Sequence, residues 1–120
     1  MSVDRLSRVN ALLRRVIGEA MFRVFQGVDV DAGRITVTEV VCAKNLRNAT
    51  VRLSVFGDAA EKKRVLGHIV RRTHEFERTV NREVRLKFTP QLRFELDYSL
   101  EKGDAVLALL DRLDIPQDPS

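Results

Sequence analysis

Tryptophan is absent from this chain of 120 residues, and cysteine occurs once, at Cys42. One thiol cannot close an intramolecular disulfide or supply a zinc site by itself, which removes the disulfide scaffolds and structural zinc modules. A buried Cys42 packing as a small hydrophobe in a reducing cytoplasm is the expectation. No run of about 18 apolar residues is present, so no membrane-spanning helix is expected. The N-terminal stretch MSVDRLSRVNALLRR alternates charge with apolar residues, unlike a secretory signal.

Catalytic signatures are missing as well. Neither of the two glycine-rich phosphate cradles occurs, nor the glycine-flanked serine of a nucleophile elbow. His68 and His74 are six residues apart, which is neither of the helical steps that would bring two imidazoles to one metal. No enzyme, cofactor or metal site is expected. Aromatic residues are few, six Phe and one Tyr, and most fall on apolar faces, so there is little for splayed bases to stack on.

What the chain does have is a long cationic helix feeding a strand, over residues 59 to 98. Leu66, Ile69, Thr73, Phe76, Val80 and Val84 recur at helical steps and form an apolar stripe. Arg64, His68, Arg71, Glu75, Arg78 and Arg82 fall roughly half a turn away. The helical period then gives way to alternation through Leu86, Phe88, Leu92, Phe94 and Leu96, interrupted by Pro90, which predicts a strand whose first part is not a continuous central one.

The overall charge of +4 conceals a strong asymmetry. Residues 62 to 93 hold ten basic and three acidic side chains, a net +7, whereas residues 94 to 120 hold two and seven, a net −5. A concentrated positive block on one helix-strand unit is a footprint for a phosphate backbone. Arginine dominates it, with Arg64, Arg71, Arg72, Arg78, Arg82, Arg85 and Arg93 against Lys62, Lys63 and Lys87. The planar guanidinium makes paired, charge-assisted hydrogen bonds to phosphate oxygens. With stacking aromatics scarce, shape and backbone recognition of a folded RNA is favoured over reading of a single strand.

Along the rest of the chain, a first helix is predicted from Asp4 to Phe25, with Ser2 as N-cap and Asp4 in the first turn. Its buried stripe is Leu6, Val9, Leu13, Val16, Ile17, Ala20 and Val24. Phe22 falls on the outer side, where the following loop is expected to cover it. Gln26-Gly27 stops the helix. Residues 34 to 43 alternate, with Ile35, Val37, Glu39 and Val41 on one side and Thr36, Thr38, Val40 and Cys42 on the other. A second alternating run sets Ala49, Val51, Leu53 and Val55 against Thr50, Arg52 and Ser54. The two runs read as an antiparallel hairpin, and Asp58 as the N-cap of the central helix. A short helix capped by Ser99 and carrying Val106, Leu107, Leu110 and Leu113 is expected near the end, before a flexible tail at 115–120.

The expected order is helix, strand, strand, long helix, strand, short helix. A right-handed crossover places the third strand parallel to the second. The fold class is α+β, one domain over residues 1–114 with a three-stranded mixed sheet covered by helices on one face, in a chain long enough to bury roughly 65% of its unfolded surface.

Nearly the whole chain resembles bacterial ribosome-binding factor A. The resemblance rests on Arg8-Val9, on the run Ile-Thr-Val-Thr-Glu-Val from Ile35 to Val40, and on Asn45-Leu46 with Ala49 and Val51. The most specific part is Arg85-Leu86, Pro90, Leu92, Phe94, Asp97 and Ser99 at their spacing. It implies a type II KH-like fold and an assembly factor that binds the free small ribosomal subunit during late maturation of its RNA. Counted back from Pro90, the Ala-x-Gly helix kink of that family falls on Arg72-Thr73-His74 and its following arginine on Glu77, beside Arg78; Asn45 and Gln91 stand where acidic residues are usual. Without the glycine, any break in the central helix is expected near Thr73-His74, with no positive φ.

The leading functional reading is therefore a monomeric, non-enzymatic RNA-binding protein, with Arg64, Arg71, Arg78 and Arg82 as the main phosphate contacts and Arg8 and Arg15 as secondary ones. The alternative is a protein-interaction module whose basic helix face docks an acidic protein partner.

Overall fold

The computed structural model describes residues 4–98. Helix α1 spans Arg5–Val24, and Asp4 rather than Ser2 caps it: the Asp4 carboxylate accepts the Ser7 N–H at 2.7 Å. A side-chain oxygen three residues ahead of the free N–H is the capping geometry, so the carboxylate expected inside the first turn lies just before it. That backbone bond holds the Asp4 carboxyl below the usual carboxylate range. Val9, Leu13, Val16, Ile17, Ala20 and Met21 are buried. Phe22 is not covered by the loop and stays 63% exposed. The chain turns through Gly27 at φ 79°, and it is Phe25 that the turn delivers to the core.

After a short 3-10 turn at Ala32–Arg34, strands β1 (Ile35–Cys42) and β2 (Asn48–Val55) pair antiparallel, and β3 (Gln91–Leu96) pairs parallel with β2. The sheet order is β1-β2-β3, as the crossover argument requires. β3 begins only after the buried Pro90, so Leu86 and Phe88 belong to the preceding loop and not to a strand. Proline lacks the N–H that a ladder needs, and the pairing starts one residue beyond it.

The alternation expected in β1 is broken by a bulge. Val37 faces Leu53 while Glu39 faces Arg52, so Thr38 is an extra residue. Ile35 and Val37 point inward before it, Val40 and Cys42 after it, and Glu39 and Val41 are turned to solvent. This corrects the assignment of Glu39 and Val41 to the face of Ile35. The physical reason is simple: an unbroken register would have aimed the Glu39 carboxylate into an apolar layer, at the cost of its hydration.

The cationic helix divides into α2 (Ala59–Arg71) and α3 (Thr73–Glu83). Asp58 caps α2 by accepting the Glu61 N–H at 2.8 Å. The break sits on Arg72 alone, at φ −107° and ψ 19°, a conformation open to any L-residue. No positive φ is needed there, which explains how the chain bends without the kink glycine. The buried stripe of α2 runs through Lys62, Val65 and Ile69, one residue off the expected line at Leu66, and continues in α3 through Phe76, Thr79 and Val80. Lys62 lays its ammonium 5.6 Å from the Tyr98 ring, keeping its charge at the rim while its stem is buried.

Helices α1, α2 and α3 lie on one face of the sheet. α1 packs on β1 and α3, and both α2 and α3 pack on β3. Phe76 is the centre, tilted against Phe25 at 6.3 Å and Phe94 at 5.3 Å. On the open face, Arg52 bridges Glu39 at 3.5 Å and Glu95 at 3.2 Å. The short helix expected after Ser99 and the tail at 115–120 lie outside the described residues.

Candidate nucleic-acid interface

Burial of Val65, Ile69, Phe76 and Val80 against the sheet forces the opposite side of α2 and α3 outward, and with it Arg64, Arg71, Arg78 and Arg82. Arg71 and Arg78 make no ion pair among the described residues. Arg82 has one loose neighbour, Glu83 at 3.7 Å, itself shared with Arg23 of α1 at 3.3 Å.

Arg64 is differently placed. It grips both oxygens of Glu61 at 2.9 Å and donates a third bond, also 2.9 Å, to the Asp29 carbonyl. The hydrogen bonds from Arg64 hold the Glu61 carboxyl below its usual range, and the same pair pushes the Arg64 guanidinium up. Arg64 therefore meets a phosphate only by exchanging partners, whereas Arg71 and Arg78 need give up none.

Arg72, between the helices, turns inward. It donates to the His68 carbonyl at 3.1 Å and its guanidinium lies 5.4 Å from the Phe25 ring, so it holds the bend. His68 loses hydration in this packing and faces Arg71, Arg72 and Arg64, which together hold its pKa below 6.5. Glu77, on which the arginine of the resembled family falls, accepts the Leu92 N–H at 2.9 Å and lies 3.2 Å from His74. It ties α3 to β3. Arg78 lines a shallow groove with His74, Asn81 and Thr89 beside that tie.

Arg8 and Arg15 stand on a different element, the exposed side of α1. Arg15 pairs with Glu19 at 3.4 Å and lines the groove between α1 and the edge strand β1, with Phe22, Ile35 and Val37. The structure thus groups Arg71, Arg78 and Arg82 on the α2-α3 side and leaves Arg8 and Arg15 on α1. It also brings Arg47 and Lys87, from two different loops, to the ring of Phe88, a meeting that helical periodicity had no means to assemble. Their only sequence trace is local excess charge.

Residues 5–110 match the family model described as ribosome-binding factor A. The chain belongs to the ribosome-binding factor A family. Relatives of that name include one from Opitutus terrae, 34% identical over 97% of this chain and 93% of its own length. Another, from Dictyoglomus thermophilum, is 32% identical over 96% and 95%; one from Synechococcus is 33% identical over 92% and 79%. Among solved structures, ribosome-binding factor A from Thermus thermophilus superposes with a TM-score of 0.65 at 20% identity, over 78% of this chain and 97% of its own. A Thermus thermophilus ribosome-binding factor A fitted into a cryo-EM map of a 30S complex gives 0.59 at 22% identity, over 74% and 91%. The order helix, strand, strand, broken helix, strand with its three-stranded mixed sheet is the KH-like fold of that family. Among the described residues no helix is long and apolar enough to cross a membrane.

Proposed function

We propose that this protein binds the free small ribosomal subunit through its RNA and acts in the cytoplasm as a non-enzymatic factor in late maturation of that RNA. Membership of the ribosome-binding factor A family supports the target, as does the small-subunit complex of its Thermus thermophilus relative. The observation that carries the mechanism is the row of outward arginines on α2 and α3. Arg71, Arg78 and Arg82 form the primary phosphate contacts, Arg64 joins them on release from Glu61, and Arg8 and Arg15 extend the contact along α1. Each guanidinium offers a planar fork to two phosphate oxygens, and none of these contacts requires a base edge. Binding therefore follows RNA shape, within one RNA-binding domain.

The test is co-sedimentation. Purified protein mixed with free small subunits and with complete ribosomes should travel with the free subunits and not with the complete particles. Equal association with both, or binding to acidic proteins in place of the subunit, would refute the proposal.

A further inference from the structure

We propose that Phe88, on the α3-β3 loop where it meets the β1-β2 loop, is a stacking site for one unpaired RNA base. This rests on the RNA-binding reading above but concerns a different surface. The two loops meet because β3 runs parallel to β2: Asn48 lies beside Gln91, and the Gln91 N–H donates to the Arg47 carbonyl at 2.9 Å. The first loop turns through Leu46 at φ 61°, and the Arg47 N–H donates to the Asn45 side chain at 2.9 Å.

This arrangement puts the Arg47 guanidinium 4.2 Å from the centre of the Phe88 ring and the Lys87 ammonium 5.5 Å from it, while the ring stays 44% exposed. Residues 43–47 and 85–90 contain Lys44, Arg47, Arg85 and Lys87 and no acidic residue. None of the four makes an ion pair among the described residues. Arg5, at the start of α1, borders the same end across a shallow depression that it shares with Lys44, Leu46 and one carboxylate, Asp4, which is engaged as the helix cap.

A half-exposed aromatic ring flanked by two cations that make no ion pair among the described residues, Arg47 and Lys87, is the combination that binds single-stranded nucleic acid: the ring takes the base, the cations take the flanking phosphates. The opposite end of the sheet supplies the contrast. Phe56 is 73% exposed beside Arg34, but Arg34 is drawn to Asp31 at 3.7 Å, and Asp29, Asp58 and Glu61 stand on the neighbouring segments. Two exposed phenylalanines occupy the two ends of β2, and only Phe88 sits in a field that attracts a polyanion.

Binding of a short oligoadenylate is compared with that of an abasic oligomer of equal length, which carries the same phosphates without bases. The intact protein should prefer the oligoadenylate by about tenfold, the loss expected for one base-aromatic stack. Phe88→Leu should bind both oligomers alike, Phe88→Tyr should keep the preference, and Phe56→Leu should leave it unchanged. The proposal is overturned if the intact protein does not distinguish the oligomers, if Phe88→Leu still does, or if oligoglutamate binds as tightly as oligoadenylate. Because co-sedimentation with small subunits is measured separately, failure here leaves the α2-α3 reading standing, and failure there does not mimic this one.

Discussion

At the scale of single residues, the fold decides which charges are available, and a helical wheel cannot. Arg64 and Arg71 are equivalent on the wheel, seven residues apart. In the structure one is occupied by Glu61 and the Asp29 carbonyl, and the other is open. The partner Asp29 lies 35 residues away in sequence, so no local pattern announced it. His68 offers a way to read the same environment. Lost hydration, then Arg71, Arg72 and Arg64, favour its neutral form. Its folded pKa lies below 6.5, so the unfolded chain takes up the proton first. Stability from this group is complete above that value and is lost as the pH falls through the folded pKa. A phosphate arriving at Arg71 offsets the repulsion, so RNA binding should raise the His68 pKa. Proton NMR titration of the imidazole, free and bound, checks this; an unchanged or lower value in the complex would place the phosphate elsewhere.

At the scale of elements, strand polarity, the hairpin, the parallel third strand and the capped cationic helix were all legible, because each depends on local period and connection length. Other features were not, and two of them concern the path of the backbone. The helix break moved from Thr73-His74 to Arg72, where an inward hydrogen bond to the His68 carbonyl and the contact with Phe25 decide the geometry. The bulge in β1 had a trace that alternation alone masked: Glu39 on an apolar face was the anomaly. Thr38 is the inserted residue, so deleting it should leave Ile35, Val37, Val40 and Cys42 all facing inward. The deletion does remove the 2.6 Å bond from the Thr38 hydroxyl to Asp97. We expect a loss of about 1–3 kcal/mol with the fold retained. Deleting Thr50 from the central strand instead turns one half of β2 inside out and should prevent folding. Urea unfolding of the two deletions distinguishes them; similar midpoints would mean that Thr38 is not the extra residue.

At the scale of the whole molecule, one sheet carries helices on one face and charge toward its periphery, and the proposed RNA contacts share no residue with the core. Recognition can then be weakened without unfolding the protein. Contacts at Arg71, Arg78 and Arg82, with Arg64 added once it leaves Glu61, displace counterions at a slope of about −0.7 to −0.9 per phosphate, so this row alone contributes near −3 in a plot of log affinity against log salt, and Arg8 and Arg15 add to it. Changing Arg71 and Arg78 together to Glu should weaken binding to small subunits strongly and remove roughly half of the row's contribution to the slope. Both side chains are exposed and unpaired among the described residues, so stability should move by no more than about 0.5 kcal/mol. Arg34→Gln, off the α2-α3 row, is the control; Arg52 would not serve, since it bridges Glu39 and Glu95 and its loss would leave two carboxylates facing each other across the sheet. A folded Arg71 and Arg78 double variant that keeps normal affinity and an unchanged slope would remove the α2-α3 row from the interface. Affinity lost without any change in slope would mean that these arginines contact something other than phosphate.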